Sequence, residues 1–169
     1  MPTIQRGDAT IYYEERGSGP PLLLLAPGGL NSTVDFWGRM PLNPLEAFSN
    51  DFRVIAMDQR NAGRSSGPLD TSDPWHMYAD DQLAVLDHLG VDQATVIGCC
   101  IGCSFVFQLL EQAPGRLPGL VAEERLARGL NREFGIKVLL EVHRVQHDGL
   151  RRALLHRRLK TDACRDRVR

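Results

Sequence analysis

The sequence predicts an α/β fold in which a parallel β-sheet is flanked by helices. Three short, mainly apolar segments, at residues 22–26, 52–57 and 94–97, are typical of strands that are buried on both faces of a sheet. Segments with helical features follow the second and the third of them. Strands that alternate with helices predict crossover connections, which make neighbouring strands parallel. With 169 residues, the chain is long enough to bury one hydrophobic core.

Turn residues mark where the predicted strands end. Residues 10–15 carry β-branched and aromatic side chains and precede a turn rich in glycine and proline. The apolar segment 22–26 leads into Pro27 and two glycines, and the segment 52–57 ends at Asp58. We therefore expect a strand before each of these turns.

Capping residues and apolar spacing predict two helices. The first has Asp73 as its N-cap and Pro74 as its first residue, and it ends before Gly90. The second covers residues 101–112 and is stopped by Pro114.

Charge and apolar spacing both change near residue 118. Residues 1–118 hold 7 basic and 14 acidic side chains, whereas residues 119–169 hold 13 basic and 7 acidic ones. Residues 117–122 predict the start of one more strand, after which apolar residues recur at every fourth position from Leu126 to Val142. We therefore divide the chain into a sheet-forming portion, 1–118, and a basic tail, 119–169, that is helical or poorly ordered.

Composition argues against several classes of protein. The longest apolar run is too short to cross a bilayer, and the polar N-terminus has no signal-peptide core. Three of the four cysteines lie within five residues, which is not typical of a disulfide-stapled secreted protein. The tail has acidic residues among its basic ones and no set of base-stacking aromatics, which argues against a nucleic-acid or membrane partner. We expect a cytoplasmic protein with reduced thiols.

Residues 98–102, Gly-Cys-Cys-Ile-Gly, form the candidate catalytic motif. They lie between the third buried strand and the second helix, where a Gly-x-nucleophile-x-Gly turn holds its nucleophile in a strained conformation. Gly98 and Gly102 provide the close packing that such an elbow requires. Cys100 takes the nucleophile position, and a helix N-terminus favours its thiolate.

Three segments, in chain order, carry a family resemblance. Residues 22–29, Leu-Leu-Leu-Leu-Ala-Pro-Gly-Gly, run from a strand into a glycine loop, and residues 58–65 read Asp-Gln-Arg-Asn-Ala-Gly-Arg-Ser. The elbow segment 96–104 follows. Together they resemble the α/β-hydrolase superfamily over about residues 3–118, in which the first segment supplies the oxyanion loop and the second is an Asp-x-Arg-Gly-x-Gly-x-Ser turn. The cysteine of the elbow is similar to that of the dienelactone-hydrolase branch.

The resemblance implies an acyl hydrolase that needs no cofactor. Cys100 would attack the acyl carbon of a small ester, lactone or related substrate, and the backbone N–H groups of Ile101 and Gly28 would bind the oxyanion. Gly28 is assigned by position, because Ala26 and Pro27 stand where the family has His-Gly. The acid and the histidine of the triad are unknown, since nothing in the tail resembles the family's later strands.

The incomplete triad predicts impaired catalysis. We expect a shortened or frame-shifted copy of a longer hydrolase, and a short non-catalytic binding or interaction protein is the alternative. Because later strands would cover the far side of the elbow strand, their absence predicts an uncovered sheet edge and self-association.

The same residues allow other interpretations. Cys100 and Cys103 form a Cys-x-x-Cys pair at a helix N-terminus, which is typical of redox proteins. A zinc site would add Cys99, although adjacent ligands do not fit the usual spacing, and we predict no metal. Glu123 and Glu124 follow the last predicted strand, where some members of the family keep the acid of the triad. A cysteine at a helix start is otherwise a small buried hydrophobe.

Overall fold

The computed structural model describes residues 1–123, which form one six-stranded sheet with helices on both faces. The strands are β1 (Thr3–Arg6), β2 (Ala9–Arg16), β3 (Pro21–Leu25), β4 (Arg53–Met57), β5 (Thr95–Cys99) and β6 (Gly119–Glu123). The helices are α1 (Val34–Trp37), α2 (Pro44–Ala47), α3 (Pro74–His88) and α4 (Ile101–Gln112). The strand order across the sheet is β1-β2-β4-β3-β5-β6.

The sheet is mixed, with a parallel part and an antiparallel part. β3 lies between β4 and β5, β6 pairs with β5, and all four strands are parallel. β1 is antiparallel to β2, and β2 is antiparallel to β4. The α/β class and the parallel strands are confirmed. These two antiparallel pairings were not predicted from the sequence. The pairing of β1 with β2 arises because a tight turn, with Gly7 at φ 57°, leaves no room for a crossover.

Apolar side chains pack on both faces of the sheet. Leu22, Leu23, Leu24 and Leu25 of β3 each expose 0% of their surface. Successive side chains of a strand point to opposite faces, so Leu23 and Leu25 pack with residues of α3 and α4, whereas Leu22 and Leu24 pack with α1 and α2. The continuous apolar run that predicted β3 is therefore explained by its burial on both faces.

The two long helices have the predicted bounds. α3 begins at Pro74, and the Asp73 carboxylate accepts the N–H of His76 at 3.1 Å. The chain leaves α3 through Gly90, at φ 65°. α4 covers Ile101–Gln112, as predicted. α1 and α2 are turns of four residues each, too short for apolar spacing to reveal them.

One predicted strand continues the sheet beyond residue 118. It was expected at residues 117–122 and is β6, in which Val121 pairs with Ile97 of β5. The expectation that the far side of the elbow strand is uncovered is therefore wrong, because β6 pairs with it. The rest of the tail, 124–169, with its predicted helical spacing, lies outside the described residues, so the division at 118 stays a prediction. Within residues 1–123, no helix has the length and apolarity to cross a bilayer.

Candidate active site

Cys100 lies in a sharp turn between β5 and α4. Its backbone has φ 56° and ψ −119°, a conformation that costs a non-glycine residue about 1–3 kcal/mol. The side chain is exposed, so Cys100 is not a small buried hydrophobe. Cys100 is the N-cap residue of α4, whose first N–H groups have no acceptor inside the helix. The thiol therefore lies at the end of the helix that stabilises negative charge.

Gly98 and Gly102 allow β5, α4 and β3 to approach closely. A Cβ on Gly98 would collide with the carbonyl oxygen of Gly102 and lie 2.7 Å from Cγ2 of Val106. A Cβ on Gly102 would collide with the carbonyl oxygen of Leu25, the last residue of β3. The first turn of α4 therefore packs directly on the ends of two strands, and side chains at either glycine would displace the elbow.

The loop after β3 reaches the same edge of the sheet as the elbow. β3 and β5 are parallel and pair Leu25 with Gly98, so the residues that follow the two strands emerge side by side. Gly28, at φ 120°, starts a 3₁₀ turn, and within residues 1–123 its N–H donates no hydrogen bond. The N–H of Ile101, the first residue of α4, has no partner inside the helix. Both predicted oxyanion donors therefore lie at the carboxyl ends of the parallel strands, where Cys100 also lies.

Two buried polar side chains hold this loop in place. Asp58, at the end of β4, accepts the N–H of Val34 at 2.7 Å on one oxygen. Its other oxygen accepts the backbone N–H of Arg64 at 2.8 Å and Nε at 3.0 Å. Ser32 is fully buried and donates its hydroxyl to the carbonyl of Ala26 at 2.7 Å. Ser32 was not predicted from the sequence, because a bond between residues six apart has no periodic signal.

The turn after β4 accommodates Asn61, which stands where the Asp-x-Arg-Gly-x-Gly-x-Ser turn has its first glycine. Asn61 has φ 62°, in the left-handed region that asparagine tolerates better than most residues. Its side-chain amide accepts the N–H of Gly67 at 3.0 Å and donates to the Gly67 carbonyl at 2.9 Å. Asparagine can therefore replace the family's glycine without opening the turn.

Arg60 connects the same turn to α3. Its Nε and Nη2 donate to the two oxygens of Asp81 at 2.8 Å and 2.6 Å, and its Nη1 donates to the carbonyl of Pro68 at 2.7 Å. The side chains of Arg60 and Asp81 are 6% and 0% exposed. The hydrogen bond to Asp81 raises the pKa of Arg60 above its usual value, so the guanidinium stays charged.

The three described cysteines differ in exposure. Cys100 is exposed, whereas Cys99 and Cys103 each expose 8% of their surface. Cys103 lies in the first turn of α4, where its thiol donates to the carbonyl of Gly98 at 3.7 Å. In this described part of the chain, no group of three or more His, Cys, Asp or Glu residues is placed to hold a metal ion. The Cys100–Cys103 redox pair stays an alternative.

The two histidines among the described residues contact residues that do not belong to the elbow. His76 lies 3.8 Å from Asp73 at the start of α3, and His88 packs edge-on against Tyr13 with 5.9 Å between ring centroids. Glu123 is the last residue of β6, and its successor lies outside the described residues, so the role of either glutamate as the triad acid stays a prediction. Among residues 1–123, the nucleophile position therefore has no assigned base.

A charged cleft of about 460 Å³ opens beside the start of α3 rather than at the elbow. Its polar lining comes from β1, the turn after β4 and the first turns of α3: Arg6, Arg60, Asp70, Asp73, His76 and Asp80. Since the elbow and the oxyanion loop do not line it, this cleft is not the predicted active site.

Comparison with known proteins supports the resemblance. A family model of the alpha/beta hydrolase fold matches residues 21–153, and the chain belongs to this family. RutD of Azorhizobium caulinodans, named a candidate carbamate hydrolase, is 35% identical over 128 residues, which cover 76% of this chain and 46% of RutD. A zearalenone hydrolase of Cladophialophora bantiana is 35% identical over 114 residues, which cover 63% of this chain and 39% of that enzyme.

Solved structures show the same likeness. Est816, described as an N-acyl homoserine lactone degrading enzyme, superposes with a TM-score of 0.60 at 32% identity. The match covers 72% of this chain and 44% of Est816. The chain thus spans less than half the length of each of these three relatives.

Proposed function

We propose that this chain carries the nucleophile and the oxyanion loop of an acyl hydrolase that acts on a small ester, lactone or related acyl compound. The backbone of Cys100 carries the proposal. An exposed thiol is held at φ 56°, a strained conformation, at the N-terminus of a twelve-residue helix. A cysteine with only a packing role would gain nothing from this turn.

The proposed reaction proceeds through an acyl-thioenzyme. The Cys100 thiolate adds to the acyl carbon, and the carbonyl oxygen becomes an oxyanion that accepts hydrogen bonds from the N–H groups of Gly28 and Ile101. The bond to the leaving oxygen then breaks, and that oxygen takes up a proton from water. The alcohol departs from an ester but stays attached to the acyl group of a lactone, and water later hydrolyses the thioester and restores the thiol. Each oxyanion donor in comparable sites contributes about 10²–10³ in rate.

The names of two relatives support this class of substrate. RutD is named for carbamate hydrolysis, and Est816 is described as degrading an N-acyl homoserine lactone. Both names denote carbonyl compounds, which fits attack at a carbonyl carbon. We therefore take aryl esters and lactones as the first substrates to test.

We also propose that turnover is impaired. A thiol nucleophile needs a general base to pass protons in both half-reactions, and residues 1–123 place none beside Cys100. Acylation of an exposed thiol by an activated ester needs less help than attack of water on the thioester. The expected behaviour is therefore fast acylation followed by slow deacylation.

A burst experiment tests the proposal. With p-nitrophenyl acetate, the chain should release nitrophenol in a burst equal to the protein concentration, and mass spectrometry should find one acetyl group on Cys100. Cys100→Ala should abolish the burst. Cys103→Ala is the matched control, because it removes a buried thiol three residues away and should leave the burst intact. Ester or lactone binding without a burst, and unchanged by Cys100→Ala, would favour the non-catalytic alternative.

A further inference from the structure

We infer that Ser32 is a positioning residue for the proposed reaction: by holding the carbonyl of Ala26, it sets the direction in which Gly28 presents its N–H to the oxyanion. This inference rests on the proposed function and assigns a role to a residue that lies outside the family motifs.

The hydrogen bonds of Ser32 close the oxyanion loop into a ring. The hydroxyl donates to the Ala26 carbonyl at 2.7 Å, which joins the two ends of residues 26–32. Inside the ring, Asn31 N–H donates to the Gly28 carbonyl at 2.9 Å, and Ser32 N–H donates to the Gly29 carbonyl at 3.1 Å. The carbonyls of Ala26, Gly28 and Gly29 are therefore all fixed by hydrogen bonds, and they restrain the two peptide groups on either side of Gly28.

The same residue fastens the ring to the next strand of the sheet. The Ser32 carbonyl accepts the N–H of Gln59, just after β4, at 2.9 Å. Two residues further on, Val34 N–H donates to Asp58 at 2.7 Å. Ser32 thus bonds to the end of β3 through its side chain and to the end of β4 through its backbone. Because Ser32 and Ala26 both expose 0% of their surface, water has no access to replace the hydroxyl.

The glycines of the loop explain why the restraint matters. Gly28 and Gly29 have φ values of 120° and 59°, and glycine has access to more backbone conformations than any other residue. Their N–H directions are therefore set by the bonds around them and not by their own preferences. A shift of about 1 Å in a group that contacts the transition state can cost 10²-fold in rate.

Two reactions of the same thiol separate positioning from exposure. Acylation of Cys100 by p-nitrophenyl acetate develops an oxyanion, whereas alkylation by iodoacetamide displaces iodide from a tetrahedral carbon and develops none. Ser32→Ala should slow single-turnover acylation about tenfold or more, because the donor is misplaced. The alkylation rate of Cys100 should not change.

Ser65→Ala is the matched control. Ser65 is 5% exposed, donates its hydroxyl to the Asp58 carbonyl at 2.7 Å and accepts the N–H of Tyr12 at 2.9 Å. The Ser65→Ala variant therefore loses two buried hydrogen bonds, neither of which involves residues 26–32. The ratio of acylation to alkylation should stay at its wild-type value in Ser65→Ala. Ser32→Thr keeps a hydroxyl and should restore most of the ratio that Ser32→Ala loses.

The possible outcomes distinguish the role of Ser32 from the proposed function on which that role rests. An unchanged acylation rate in Ser32→Ala, or an equal loss of acylation and alkylation, overturns the role of Ser32 while the proposed function stands. If the wild-type thiol is alkylated but never acylated, the proposed function fails, and the role of Ser32 fails with it. Amide hydrogen exchange of residues 26–31 adds a readout that needs no activity: it should quicken in Ser32→Ala and not in Ser65→Ala.

Discussion

Two non-glycine residues within 1–123 have positive φ values, and their surroundings differ. Asn61 makes two hydrogen bonds with Gly67 through its side chain, which account for its conformation. The Cys100 thiol is exposed, and the described residues give it no hydrogen bond. The close packing at Gly98 and Gly102 therefore maintains the strained backbone of Cys100, and this conformation leaves the thiol accessible.

We expect Cys100 to react selectively. The test uses a Cys164→Ser background, which leaves Cys99, Cys100 and Cys103. Cys100 should be alkylated by iodoacetamide at least about tenfold faster than the other two, because buried thiols react only after local opening. Peptide mapping by mass spectrometry at early times measures the order. Cys100→Ala should remove the fast phase, and rapid labelling of Cys103 in native protein would contradict the structure.

At the scale of secondary-structure elements, the elbow is the place where α4, β3 and β5 pack together. The first turn of α4 touches β3 through Gly102 and β5 through Gly98. The loop after β3 is in turn tied to the end of β4 by Asp58, which accepts the N–H of Val34, and by the Ser32 carbonyl, which accepts the N–H of Gln59. The site therefore belongs to no single motif, and changes at its packing contacts should affect stability as well as chemistry.

Gly102→Ala should lower the free energy of unfolding by about 1–3 kcal/mol, the usual cost of forcing an extra carbon into a packed core. The added Cβ would collide with the backbone oxygen of Leu25, which cannot move aside without disturbing β3. This cost exceeds the gain of about 1 kcal/mol that alanine brings to a helix. Urea denaturation measures the change. Gly115→Ala, where no atom of the described residues lies within 4 Å of the new Cβ, is the control and should not destabilise.

The Arg60–Asp81 pair should contribute strongly to the attachment of α3. Arg60→Met keeps much of the volume but, among residues 1–123, leaves the buried Asp81 carboxylate with only Arg6, at 3.3 Å. We expect a loss of about 3–5 kcal/mol in the free energy of unfolding, because a buried charge loses its partner. Asp87→Ala breaks the exposed pair with Arg116 and should cost about 1 kcal/mol or less. Equal effects of the two substitutions would argue against the burial of Arg60.

At the scale of the whole molecule, the ends of the described sheet are β1 and β6. β5, the elbow strand, is paired on both sides, by β3 and by β6. Within residues 1–123, no strand pairs with the outer side of β6. An unpaired strand edge offers backbone hydrogen-bonding groups to other chains, so the prediction of self-association now applies to β6.

Sedimentation velocity should therefore show an average mass that rises with protein concentration. Val121→Lys should reduce the association, because a charged side chain on an edge strand opposes pairing between sheets. Phe107→Lys removes a large apolar side chain, 43% exposed, from α4 and should leave the association unchanged. A monomer at every concentration would contradict the prediction.

Local patterns were sufficient to predict most elements and the motif of the elbow. The leucines of β3 reveal burial on both faces, and Asp73, Pro74 and Gly90 mark the ends of α3. Residues 98–102 carry their own signature of glycines around a nucleophile. Each of these signals arises within a few neighbouring residues, where periodicity and turn chemistry are readable in a single sequence.

The sequence by itself thus determined the α/β class, the parallel strands, α3 and α4, and Cys100 as the candidate nucleophile. Only the tertiary structure decided that β1 and β2 pair antiparallel, that β6 covers the elbow strand, and that Ser32 closes the loop after β3. The physical reason is the range of the interactions. Strand pairing and the bonds of a folded loop join groups that meet only when the ends of separate strands are brought together, and no spacing along the chain encodes that meeting.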